Sequence, residues 1–189
     1  MSNLQISLAL FSIAGITLCW LFLQLRPGAR ERRHARLQEK ARRVLIKINT
    51  IPNMPQRLAY LRKIDPLAFE ELLLETFERR GFKVTRNTHY SGDGGVDGIV
   101  TLHGERFLVQ AKRYGKHIKS DHIREFARLL DQNNCRGFFC HTGRTGPSCK
   151  DILNQNRRVI LLSGERLLDF LNSRPEESSV RHATSPVGN

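Results

Sequence analysis

Residues 96–114 read VDGIVTLHGERFLVQAKRY, two alternating apolar and polar stretches on either side of Gly104-Glu105. Alternation interrupted by a glycine-led pair is the mark of a β-hairpin. It constrains the chain more than any other feature, because strand pairing dictates which side chains share a side. With Gly104-Glu105 as a two-residue type II′ loop, His103 faces Arg106, Ile99 faces Gln110 and Asp97 faces Lys112. Facing residues stand roughly 5 Å apart at Cβ, and side chains repeat every second residue along a strand. Asp97, Gln110 and Lys112 then share one side, and Phe107, Val109 and Ala111 the other. A loop displaced by one residue still leaves Asp97 near Lys112, although the facing pairs change.

The elements around the hairpin predict an α/β domain. Asp65-Pro66 is a helix start, with Asp as N-cap and Pro in the first turn. Phe69, Leu72, Leu73, Thr76 and Phe77 follow at helical spacing, and Gly81 can close the helix. FKVTRNT alternates as a strand. After the hairpin, Ser120 can cap a helix with Ile123, Phe126, Ala127 and Leu130 on one face. RGFFCHT reads as a strand, residues 147–155 as a short helix, RVILLS as a strand and GERLLDFLN as a last helix. The order predicts a mixed sheet, an antiparallel meander first and helix-joined strands later. The polar stretch after Ser173 has no periodicity and reads as a disordered tail.

The N-terminal part is of another kind. Leu4 to Leu25 carries no charge and has the roughly 20-residue length of a membrane span. No Lys or Arg precedes it, and Leu18 before Cys19 does not suit a lipoprotein signal, so an uncleaved anchor is the expectation. Residues 26–47 hold nine Lys/Arg against two Asp/Glu, which is +7 of the chain's +13. Basic residues beside a span place the rest in the cytoplasm, at an inner membrane. Residues 26–64 are expected to be a solvated, partly helical basic linker touching anionic headgroups, with a nucleic-acid-binding arm as the alternative. Ile51 to Pro55, with two prolines, breaks any helix. Residues 65–172 are only mildly basic, at +3.

A carboxylate, an amide and an amine on one side of a hairpin suit phosphodiester hydrolysis. Asp97, with the Gln110 amide or the Ala111 carbonyl, can hold Mg²⁺ while waters remain bound. The metal polarises a phosphate and lowers the pKa of bound water. Lys112 can orient or deprotonate that water and stabilise charge in the transition state. Glu70 is either a further metal contact or an ordinary solvated position. Phe69-Glu70, Gly81, GDGGVD and VQAKRY together resemble the catalytic domain of Mrr-like restriction endonucleases, of the PD-(D/E)xK nuclease superfamily. The likeness runs from about Asp65 to Leu171. It implies a restriction-endonuclease-like three-layer fold, with a central mixed sheet between helices. It implies that Asp97 is the metal-binding aspartate, Lys112 the catalytic lysine and Glu70 the first-helix acid. Gln110 stands where most of the superfamily has Glu or Asp and this branch has Gln. The implied cofactor is Mg²⁺ or Mn²⁺ and the implied substrate double-stranded DNA. Val96 stands in place of the superfamily's proline.

Other residues have plainer readings. Asp93 suits a turn. Cys135, Cys140, His141 and Cys149 lack paired metal-ligand spacing and read as core or surface residues. Arg113, Tyr114, Lys116 and Lys119 follow the catalytic strand and are candidate phosphate contacts. The GRTG loop has no lysine and is too short for a phosphate-binding loop of the Walker type. The function expected is a membrane-anchored, metal-dependent DNA endonuclease. The rivals are a DNA-binding or tethering protein that has lost turnover, and a junction-resolving nuclease acting as a homodimer.

Overall fold

The computed structural model describes residues 28–86 and 95–172, together with Gly15, Thr17 and Trp20. The Leu4–Leu25 run, Asp93 and the tail after Ser173 lie outside the described residues, apart from those three. Among the described residues, no helix is long and apolar enough to cross a membrane.

Among the described residues eleven elements follow one another from Ala29: α1 Ala29–Thr50, α2 Met54–Leu61, α3 Pro66–Arg79, β1 Lys83–Arg86, β2 Gly98–Leu102, β3 Glu105–Lys112, α4 Ser120–Gln132, β4 Arg136–His141, α5 Pro147–Gln155, β5 Val159–Ser163 and α6 Gly164–Asn172. The five strands form one sheet in chain order. β1–β2–β3 is an antiparallel meander, and β4 and β5 add in parallel. The sheet is mixed, as its sequence pattern predicts. Strand alternation divides the apolar side chains between two cores. Phe107, Val109 and Ala111 join Phe69, Leu73 and Phe77 of α3 and Leu167 and Phe170 of α6 on one side. Leu108 and Phe139 join Ile123, Phe126 and Leu130 of α4 and Cys149 of α5 on the other. The result is a three-layer helix–sheet–helix sandwich.

Local signals explain the ends of α3. The Asp65 carboxylate accepts the Ala68 N–H at 3.1 Å, satisfying a donor that the first helical turn leaves free. At the other end Gly81 has φ +84°. Its N–H reaches the Glu78 carbonyl, and the Phe82 N–H reaches the Phe77 carbonyl. This is the Schellman arrangement, completed by an edge-to-face contact of the Phe77 and Phe82 rings at 5.1 Å. Ser120 is no cap: Lys119 holds that position without a side-chain bond, and Ser120 is the first helical residue.

Two further expectations are corrected. The hairpin loop is His103-Gly104, with φ +50° and +82°. Both positive values fit a type I′ turn, which matches the twist of the strands it joins. Leu102 therefore faces Glu105 and Ile99 faces Leu108. Moving a two-residue loop by one position shifts every facing pair by two, so each side chain keeps its side of the sheet. The 26–64 segment is more than a linker. α1 runs unbroken to Thr50 and carries an apolar stripe of Leu37, Ala41, Val44, Leu45 and Ile48, all buried. From Ala41 onward this stripe joins the α3-side core, and the compact unit begins at Leu37 rather than at Asp65. The break expected over Ile51 to Pro55 is present: α1 ends at Thr50 and α2 starts at Met54, with Asn53 as its cap and Pro55 in its first turn.

Candidate active site

The site gathers where β2 begins and β3 ends. Asp97 immediately precedes β2. Its N–H donates to the Val109 carbonyl at 2.8 Å, and its Oδ2 accepts the Ala111 N–H at 2.6 Å. The carboxylate thus serves as the acceptor for a strand amide beyond the end of the β2 ladder. N–H and C=O of one strand residue lie on the same edge, so the Ala111 carbonyl is also directed to the Asp97 side. Gly98 sets the depth of this corner. A Cβ there would fall 2.6 Å from Leu74 Cδ2 of α3, so the helix occupies the space of the missing side chain.

Glu70, on the first half of α3, is coupled to this corner. Burial pushes its carboxyl up to about 7, and the Asp97 charge pushes the same way, while Lys112 opposes them. Asp97 is raised to about 6 by burial, against the pull of the Ala111 N–H and of Lys112. Two carboxyls pushed up by burial, one of them also by the charge of the other, with an amine acting on both, are a common signature of a working site. Glu70 is accordingly no ordinary solvated position.

Gln110 is buried, and its Nε2 donates to the Gly95 carbonyl at 2.7 Å. Gly95 has φ +87°, and a Cβ there would collide with that same nitrogen. The amide therefore holds the backbone just ahead of Asp97. Gln110 Oε1 is buried with no donor. On the α4 side Gly95, Gln110 and Lys112 line a cleft with His122, Glu125 and Arg128. Lys112 serves both sides, acting on the two carboxyls and lining this cleft.

Among the described residues, no three His, Cys, Asp or Glu side chains form a metal-holding group. The donor set nonetheless fits a hard divalent ion. It offers two carboxylates whose raised pKa values a cation would lower, the Ala111 carbonyl and an orphan amide oxygen, leaving positions for water. Cys140 and Cys149 are buried and Cys135 half-buried, all three free thiols. His141 is fully buried, and burial lowers its pKa to about 4. This is core chemistry, as their spacing indicates.

The four residues after the strand divide. Arg113 Nη1 donates to the Arg62 carbonyl at 2.8 Å, and Arg62 Nε to the Thr142 carbonyl at 2.9 Å. Arg113 thus ties α2 to the sheet. Tyr114 exchanges two backbone hydrogen bonds with the Thr142 hydroxyl, both at 3.1 Å, and its own hydroxyl meets His122 Nδ1. Lys116 and Lys119 keep exposed side chains. Their loop is paired with the next one through Arg144 N–H to the Lys116 carbonyl and Ile118 N–H to the Arg144 carbonyl, both at 3.0 Å. His122, Glu125 and Arg128 were not apparent as cleft residues from their spacing. The available signal was their place on α4 opposite the apolar face of Ile123, Phe126 and Leu130.

A mixed sheet between helix layers, with an acid on α3, an acid at the hairpin entrance and a lysine at the end of its second strand, defines a nuclease-type domain. The profile of a restriction endonuclease family, the Mrr catalytic domain, matches residues 61–171, more than half of the chain, and the chain belongs to that family. No curated protein and no solved structure matches it.

Proposed function

We propose that the chain is a metal-dependent DNA endonuclease that hydrolyses phosphodiester bonds, with restriction of foreign or modified DNA as its task. The observation that carries this reading is the coupled set of Glu70, Asp97 and Lys112 in a restriction endonuclease domain. Glu70, Asp97 and the Ala111 carbonyl would hold Mg²⁺ or Mn²⁺, with Gln110 Oε1 accepting from a bound water. When bound, the metal supplies Lewis acidity toward the phosphate and its water. Gln110 Nε2 fixes Gly95, which keeps Asp97 at its depth. Lys112 orients the attacking water and stabilises the negative charge that develops on the phosphate oxygens. Lys116 and Lys119 contact phosphates of duplex DNA outside the reacting bond.

The test is plasmid cleavage with Mg²⁺ by the wild type and Lys112→Ala. Cleavage by the wild type that is lost in the variant supports the reading. Equal cleavage by both removes the mechanism, and binding without cleavage by the wild type favours the tethering alternative.

Membrane attachment is a separate proposal. It rests on the uncharged Leu4–Leu25 run and the basic residues after it, which place the nuclease domain on the cytoplasmic side. Full-length protein found in the high-speed supernatant of a detergent-free lysate would refute it.

A further inference from the structure

The α4 wall of the cleft has a hydrogen-bond chain that the metal chemistry does not use. The Tyr114 hydroxyl is bonded to His122 Nδ1. A phenol hydroxyl is a strong donor and an unprotonated imidazole nitrogen a good acceptor, so the hydroxyl proton goes to Nδ1. Burial raises the Tyr114 pKa, which keeps that proton on the oxygen. An imidazole that accepts at Nδ1 carries its hydrogen on Nε2. The remaining ring nitrogen is then a donor on a residue lining the cleft with Gln110 and Lys112.

The support is rigid. Tyr114 is held through its backbone N–H and C=O by Thr142. The loop behind it passes so close to Gly143 that a Cβ there would lie 2.5 Å from the Lys116 carbonyl and 2.6 Å from Tyr114 Cβ. The charges of the wall suit an anion: Lys112 and Arg128 outnumber Glu125.

We infer that His122 is a phosphate-contacting residue of this cleft, donating from Nε2–H to a DNA phosphate oxygen, and that Tyr114 is the positioning residue that fixes its tautomer. The inference rests on the nuclease reading, and it replaces a direct DNA contact by Tyr114 with an indirect role.

Two measurements on the full-length chain test it. The first is duplex affinity by fluorescence anisotropy, with Ca²⁺ in place of Mg²⁺ so that binding is read without turnover. His122→Ala is expected to weaken binding about five- to tenfold, the effect of one lost hydrogen bond. His122→Gln, whose amide offers an N–H near the same place, is expected to recover most of that loss. Tyr114→Phe, which keeps the ring and releases the tautomer, is expected to fall between. The second measurement is the ¹⁵N spectrum of the histidine rings, with His122 assigned from His122→Gln. It should show the Nε2–H form in the wild type and a mixture in Tyr114→Phe. Unchanged affinity in His122→Ala, no recovery in His122→Gln, or an Nδ1–H form in the wild type overturns the inference. A wild type that binds and cleaves while His122→Ala does both equally well defeats this inference alone. A wild type that neither binds nor cleaves duplex DNA defeats the nuclease reading and this inference with it.

Discussion

Glu70 and Glu71 are consecutive residues of α3, yet their carboxylates have opposite surroundings. Glu71 is buried against Arg86 of β1, at 2.8 Å. The same guanidinium holds Glu78 at 2.8 Å, and Glu75 is met by Arg42 and Arg79 at 3.3 and 3.2 Å. On that face each acid has a basic partner, and burial is offset by charge-assisted hydrogen bonds. Glu70, a helical step of about 100° away, is turned toward Asp97, a second acid, and its pKa rises to about 7. One face uses carboxylates to hold β1 on the helix. On the other, Lys112 is the charge that offsets the two carboxylates, joined at Asp97 by the Ala111 N–H. Neighbouring letters in the sequence thus separate a charge that holds the fold from the one proposed for the site, and the partner across the fold decides which is which.

The comparison breaks most sharply if the two faces respond alike to neutralisation. Asp97→Asn keeps an acceptor for the Ala111 N–H and should still abolish cleavage, by about 100- to 1,000-fold in plasmid assays. Its thermal midpoint at pH 8 should equal or exceed that of the wild type, since a desolvated charge has been removed. Glu71→Gln should do the reverse. It weakens the Arg86 pairing and costs about 1–3 kcal/mol in urea unfolding, with cleavage per folded molecule unchanged. A stable Glu71→Gln and a destabilised Asp97→Asn would reverse the assignment.

The pH dependence refines the functional face. Glu70 and Asp97 have raised folded pKa values, about 7 and 6. Between the ordinary carboxylate range, about 4, and those values, the folded chain holds protons that the unfolded chain has released. Their contribution to stability is therefore present at low pH and is lost as pH rises through 6 to 7. With EDTA, the wild type should lose stability relative to Glu70→Gln over that interval in thermal melts. Added Mg²⁺ should raise the midpoint more at pH 8 than at pH 5.5, because the ion competes with those protons. The smallest effect belongs to the rim of the paired face. The side chain of Arg42 is 55% exposed, so Arg42→Ala should cost under about 1 kcal/mol in urea unfolding.

The sequence pattern carried much of this arrangement. Alternation through β2 and β3 placed Gln110 and Lys112 on one side even though the loop lies one residue earlier than Gly104-Glu105. The reason for the miss is His103, a non-glycine residue at positive φ that propensity does not favour. The periodicity of Phe69, Leu72, Leu73 and Phe77 fixed the buried face of α3. What escaped was governed by tertiary contact. The stripe of Leu37, Ala41, Val44 and Ile48 was overshadowed by nine basic residues in the same segment. The α4 wall depends on how that helix docks, and Arg113 was assigned to DNA because nothing local shows that the Arg62 carbonyl lies within its reach.

Gly98 connects the two acids in a way that neither of them reveals alone. Leu74, one turn beyond Glu70 on α3, fills the space where a side chain at 98 would stand. The packing between the helical acid and the acid ahead of β2 therefore runs through that leucine. Even an alanine at this position would act as a shim, pushing the Leu74 side chain out of its seat with both carboxylates still in the chain.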